Sequence, residues 1–406
     1  MSDKLRRRTF LTAAGAAGIS AGAVSLSACS SDDDPQAAAD KKQPLVEARV
    51  DFDGPHQAGI ATPAQARLWL IGLNLKKDVD REGIIRLMRL WTDDARRMTQ
   101  GGAGLADLEW ELLESTASLT TTVGFGRGLL KKAGLEYQAP EWLKPLPEYS
   151  RDELDEKWGE TDLCLQICCD DSLTLSHAAR YLLKGGARYV DIKWVQEGFL
   201  NANGSFEKGH TPRNKFGQLD GTINPRSEEE LDDIVWINDG PDWLKGGTAM
   251  VVRRIEMDLD GWDVLDRASR ETVIGRTLDT GAPLTGENEY DKPDMEARDK
   301  YGLPVIDRNS HMALSMPADG KPNEKLLRRV YNYDLPPQPG HRFTSNTGLV
   351  FICFQQDPLA QFDPIQQRLD KSDRLNQWIF HIGSAVYAIP AGTGPEEYWG
   401  QKLLES

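Results

Sequence analysis

Residues 65–98 read QARLWLIGLNLKKDVDREGIIRLMRLWTDDARRM. The first eleven form an apolar run of strand length. Ile84, Leu87, Met88, Trp91, Ala95 and Met98 then recur at three- and four-residue spacing, which is one face of a helix. The same kind of reading extends outward from this unit. Residues 120–125 and 162–169 read as strands, 173–183 as a helix and 189–199 as a closing strand. The second half repeats the order loosely, with a strand at 247–259, a helix at 262–274, a strand at 348–355 and a helix at 364–382 before a short strand near Tyr387. Between them, residues 275–345 are rich in Pro, Gly and charge. An insert of that length usually builds a site or an interface.

This alternation predicts an α+β protein made of two ferredoxin-like sandwiches packed together. The chain has 406 residues, and at roughly 150 per domain that is room for about two domains. The expected division is a leader at 1–28, a tether at 29–47, an N-terminal domain at 48–225 and a C-terminal domain at 226–406. The formal charge is −15, which argues against a general nucleic-acid binder because phosphate affinity needs clustered Lys and Arg. Five Cys in so long a chain cannot be the framework of a disulfide-stapled mini-protein.

The N-terminus reads as an address. Arg7-Arg8-Thr9-Phe10-Leu11 opens an Ala- and Gly-rich apolar run that ends in Leu26-Ser27-Ala28-Cys29. The arginine pair resembles the twin-arginine export signal of bacteria, and Leu-Ser-Ala-Cys resembles a lipobox with Cys29 as the lipidated mature N-terminus. An uncleaved anchor helix, or a plain signal peptide with an incidental Cys, is the alternative. The expectation is export through the twin-arginine machinery to the periplasm or cell envelope, with a lipid anchor at Cys29.

Several tempting signals have simpler readings. Cys164, Cys168 and Cys169 lie in an apolar strand without partnering His residues and read as buried thiols, as does Cys353. Gly124-Phe-Gly-Arg-Gly128 lacks the Lys-Ser/Thr pair of a phosphate loop and a following helix pattern. The acidic run 228–233 reads as a solvated face or helix start.

The chemistry lies in two segments. In Thr211 to Pro225, TPRNKFGQLDGTINP, Asp220 is flanked by Gly217, Gly221 and Thr222, a turn-forming composition that lets backbone approach a ligand. The second segment holds Asp307-Arg-Asn-Ser-His311, followed by Leu326-Leu-Arg328-Arg329-Val-Tyr-Asn-Tyr333. The other His residues show no paired spacing for zinc or copper. A single His suffices as the axial ligand of a haem iron.

At this point a resemblance is specific. Gly217-Gln-Leu-Asp220-Gly221 matches the GxxDG motif of the dye-decolorizing (DyP-type) peroxidases. Gly54-Pro-His-Gln-Ala-Gly-Ile60, Val251-Val-Arg-Arg-Ile255, residues 348–357 and Gly383-Ser-Ala385 follow in the order of that family. The likeness runs from about residue 48 to 398 and is to its exported, deferrochelatase-like subgroup. It implies the dimeric α+β barrel type of fold, with one haem b per chain between the two halves, mainly in the second. His311 would ligate iron, Asp220 would be the distal carboxylate and Arg328 the distal Arg. Arg329 would reach a haem propionate, Gly221, Thr222 and Asn224 would border the haem as turn residues, and Leu349 and Phe351 would form an apolar wall.

The implied function is reduction of hydrogen peroxide at the expense of dyes, phenols or other organic reductants. The alternative is an exported haem-handling or iron-acquisition protein with incidental peroxidase activity. A homo-oligomer is compatible with the resemblance. Large reductants would pass electrons through aromatic residues, with Tyr331, Tyr333, Trp378 and Tyr387 as candidates. Gln377 stands where relatives often carry an acid that accepts a hydrogen bond from the proximal His, and a neutral Gln there implies a raised iron reduction potential.

Overall fold

Nine strands and nine α-helices organise the described residues, 44–207 and 209–406, of a computed structural model of the chain. The expected leader, Cys29 and most of the tether lie outside the described residues. The end of the tether is docked: residues 45–47 form a 3-10 turn, and the carbonyls of Leu45, Val46 and Ala48 accept from the N–H groups of Ala117, Thr116 and Ser118.

The N-terminal half is an antiparallel sheet of β1 (Arg67–Leu75), β2 (Thr120–Phe125), β3 (Leu163–Cys169) and β4 (Val190–Phe199), in the order β2-β3-β1-β4. The helices Arg81–Thr99 and Ser172–Gly186 cover its outer face. Asp80 and Asp171 cap them, accepting from Gly83 and Thr174 N–H, and each such cap contributes about 1 kcal/mol. Ile84, Leu87, Met88, Trp91, Ala95 and Met98 all face the core, so the helical spacing held.

The C-terminal half is built from β5 (Thr248–Met257), β6 (Leu327–Arg328), β7 (Tyr331–Leu335), β8 (Asn346–Gln355) and β9 (Ile379–Ile389). β5 lies between β9 and β8, and β6 and β7 run in one continuous register along the outer edge of β8. Single pairings, Phe125 with Ala388 and Phe199 with Asn332, join the two sheets at their edges. Their inner faces pack together through Leu68, Leu70, Cys164 and Cys168 from one side and Met250, Val252, Ile352 and Tyr387 from the other.

Three expectations fail here. The helix expected at 364–382 ends at Ser372 (Phe362–Ser372). A 3-10 turn, Arg374–Gln377, follows, and then the eleven-residue strand β9. The helix expected at 262–274 is two short ones, Leu259–Asp263 and Arg267–Ile274, restarted by the Asp266 cap. Residues 275–345 are not structureless, since β6 and β7 lie there. A six-residue helix, Arg127–Lys132, does follow the Gly124–Gly128 stretch. Ser227 and Glu230 form a capping box that starts the helix Glu228–Ile234 in the acidic run. Cys164, Cys168, Cys169 and Cys353 are buried and free.

Candidate active site

The outer face of the C-terminal sheet is the floor of a cavity of about 600 Å³, within the range of about 300–1,000 Å³ that binds cofactors and small molecules. Side chains on a strand alternate between faces. Arg253, Ile255 and Met257 of β5, Leu349 and Phe351 of β8, and Ile379 and His381 of β9 therefore point the same way, into the cavity. Phe362, Ile365 and Leu369 of the helix Phe362–Ser372 form a wall, and the loop 214–226 and residues 311–317 close the sides. Every lining residue falls between Asn214 and His381. The cavity thus belongs wholly to the second half and the loop leading into it, because the space between the sheets is filled by the inner core.

On one side stands His311, the first residue of the short helix His311–Ser315, whose N-cap is Ser310. Its Nδ1 is 2.6 Å from Oδ2 of Asp373, whose carboxylate is fully buried. Burial works against the charged imidazole, but the charge and hydrogen bond of Asp373 outweigh it and raise the His311 pKa above its ordinary value. With Nδ1 engaged, Nε2 is the nitrogen left for a ligand. Asp373 comes into position because the helix stops one residue before it. Its Oδ1 caps the following 3-10 turn by accepting from Leu375 N–H at 2.9 Å, and Oδ2 faces His311.

Gln377, where an acid was sought, is exposed and lies outside the cavity. The acidic partner is present four residues earlier. The expectation of a missing carboxylate, and of a raised potential from it, is overturned.

A second polar group stands on the cavity wall, where Asp220 Oδ1 and Arg328 Nη1 are 3.1 Å apart and largely buried. Asn214 Nδ2 donates to Asp220 Oδ2 at 3.2 Å, and the Asp220 N–H donates to the Pro212 carbonyl. Arg328 Nε has no hydrogen-bond partner, and Asp220 Oδ1 is held by the ion pair with Arg328 alone.

The remaining expected residues divide. Thr222, Leu349 and Phe351 line the cavity, and the Thr222 hydroxyl donates to Glu289 Oε1 at 2.9 Å. Gly221 is not part of the lining; with φ +128° it supplies the turn after Asp220. Arg329 is a correction. As the neighbour of Arg328 in an extended chain it points to the opposite face, donating to the Thr62 carbonyl and to Gln65. It reaches nothing in the cavity.

Tyr331, Tyr333 and Tyr387 are fully buried in the inner core and do not touch the cavity. Asn224, expected beside Thr222, also lines the cavity, while sequence reading missed Asp373, Arg253, Arg276 and His381. Only Asp373 carried a local signal, an Asp able to cap the start of a new helical turn.

The Dyp-type peroxidase N-terminal domain matches residues 57–200, and the C-terminal domain of the same family matches residues 211–394. The chain belongs to the Dyp-type peroxidase family. It is 36% identical to the dye-decolorizing peroxidase of Thermobifida fusca (strain YX), over 98% of this chain and 97% of that protein. It is 33% identical to the deferrochelatase of Escherichia coli (strain K12), over 87% and 86%. The crystal structure of a DyP-type peroxidase from Cellulomonas bogoriensis superposes with a TM-score of 0.86 at 49% identity, covering 90% of this chain and all of that one. Ferric DtpA from Streptomyces lividans gives 0.85 at 37%, covering 89% and 98%. As a DyP-type peroxidase the protein is an enzyme whose oxidant is hydrogen peroxide and whose reductant is an organic molecule.

Proposed function

We propose that His311, Asp220 and Arg328 are the working residues of this haem peroxidase, and that haem b occupies the cavity they share. The observation that carries this reading is one histidine, backed by a buried carboxylate, lining the same cavity as an acid–cation pair. The fit is also one of polarity. Ile255, Met257, Ile274, Leu349, Phe351 and Leu375 offer an apolar bed, suited to a flat hydrophobic ring system. When bound, the haem iron supplies the two-electron chemistry that cleaves the O–O bond of peroxide.

The chain supplies the rest. His311 Nε2 holds the iron, while Asp373 accepts the Nδ1 hydrogen bond, fixes the tautomer and makes the imidazole a stronger donor. Asp220 accepts the proton that peroxide must lose. Arg328, always cationic, presents fixed donors to the oxygen on which negative charge develops. Asp373→Asn is expected to raise the iron reduction potential and to lower haem affinity or activity ~10–100-fold. A redox titration that shows the potential unchanged or lowered would remove Asp373 from this role.

Reductants too large to enter the cavity are served at the surface by Trp378. It is half-buried and its ring lies 5.4 Å from that of Trp262, which in turn lies 4.5 Å from the cavity-lining Phe216. The arginine pair at Arg7-Arg8 and the stretch Leu26–Cys29 support export of the folded enzyme to the cell envelope, with a lipid anchor at Cys29.

The alternative of haem handling is favoured by the deferrochelatase relatives alone, since holding haem requires neither Asp220 nor Arg328. The two readings separate in one assay. Haem-loaded protein given peroxide and a phenol is expected to oxidise many equivalents of phenol with its haem intact. Appearance of fluorescent iron-free porphyrin without phenol oxidation would assign the protein to iron release instead.

A further inference from the structure

Asp220 and Arg328 come from distant parts of the chain, yet their charged groups meet at 3.1 Å. The backbone explains how. β6 is an edge strand, paired only with β8. The Arg329 N–H donates to the Ile352 carbonyl of β8, so the N–H and C=O of the preceding residue, Arg328, face away from the sheet, as alternation in an antiparallel ladder requires. Both would be left unpaired. Instead Asn224 takes both: its Nδ2 donates to the Arg328 carbonyl at 2.6 Å, and its Oδ1 accepts from the Arg328 N–H at 3.1 Å. A side-chain amide is the group that offers a donor and an acceptor in one plane at that spacing.

Asn224 is also tied to Asp220. The two are four residues apart on a loop held from within. The Asn224 N–H donates to the Gly221 carbonyl, the Gly217 N–H to the Asn214 carbonyl and the Asn214 N–H to the Gln218 carbonyl. Asn214 Oδ1 additionally accepts from Phe216 and Gln218 N–H. The carboxylate therefore sits at one end of a stiff strap, and the other end grips the backbone of the arginine.

We propose that Asn224 is a positioning residue that sets the separation of the Asp220 carboxylate from the Arg328 guanidinium, and thereby the shape of the peroxide-activating pair. The inference rests on the functional reading above and adds to it a residue that acts through Arg328. It requires no contact between Asn224 and peroxide.

The test uses the haem-loaded full chain, with fluoride as a small anion whose binding would draw on the Arg328 donors. Asn224→Ala is expected to slow the reaction with peroxide on the order of a hundredfold, the scale associated with a misplacement near 1 Å. It should weaken fluoride binding roughly tenfold, as for one degraded charge-assisted hydrogen bond, while KM for the organic reductant stays the same. Asn224→Asp keeps the shape and one of the two bonds. It guards against loss of folding in the alanine variant, and it should show the same defects in smaller measure.

The decisive comparison is the Arg328→Leu background, where the same substitutions at Asn224 should change neither fluoride affinity nor peroxide rate further. Equal losses in both backgrounds would overturn the proposal, since they would mean that Asn224 does not act through Arg328. So would wild-type behaviour of both single variants. If the wild-type chain takes up no haem, the functional reading fails instead, and the two failures are told apart by the absorption spectrum alone.

Discussion

Arg328→Leu is expected to slow the reaction with peroxide about a hundredfold, the ~3 kcal/mol of barrier typical of one lost electrostatic donor. The substitution removes the cation 3.1 Å from the Asp220 carboxylate. Asp220→Asn deletes only the carboxylate proposed to accept the proton. The cation serves twice, holding the acid and stabilising the departing oxygen, so its loss is expected to be at least as harmful. Stopped-flow mixing of each haem-loaded variant with peroxide gives the comparison directly. An Arg328→Leu protein that reacts at the wild-type rate would end its assignment.

The second large effect is expected at His311. His311→Ala removes the proposed iron ligand and leaves the Asp373 carboxylate buried without its partner. Leaving a buried charge unpaired in this way costs several kcal/mol. The variant should therefore fail to retain haem at stoichiometric concentration and should melt at a lower temperature. Free imidazole, which restores both a nitrogen for iron and a donor for Asp373, is expected to recover the haem absorption band. Retention of haem with an unchanged spectrum would show that another residue ligates iron. His381 is the candidate to examine first, since its buried ring lines the same cavity.

The parts of this architecture that depend on local pattern were legible in the sequence. The helical spacing from Ile84 to Met98 and the apolar runs of β1, β2, β3 and β4 are local facts, and the structure keeps them. What sequence reading lost was long-range. β9 reads IFHIGSAVYAI and carries apolar residues on both faces, since one lines the cavity floor and the other packs in the inner core. Such a run has no clean period of two, and it was absorbed into the helix before it. That single error hid Asp373, because a helix continued to residue 382 leaves no helix end for it to occupy. Arg328 and Arg329 are adjacent and chemically alike, and only the pleat separates them, turning one to the cavity and the other to Thr62 and Gln65. The sequence marks Asn224 only as a turn residue bordering the haem, not as a partner of Arg328. Its importance lies in a backbone 104 positions away.

The central claim is that the cavity bounded by His311, Asp220 and Arg328 holds haem and activates peroxide there. The most direct test is to titrate the purified chain with haem, record its absorption spectrum, and mix it with one equivalent of peroxide at pH 4–5. A Soret band that grows to one haem per chain, changes rapidly with peroxide and returns when a phenol or dye is added is the predicted result. A Soret band that forms but does not respond to peroxide would contradict the claim that the Asp220–Arg328 pair activates it, and no Soret band at all would contradict His311 as the ligand.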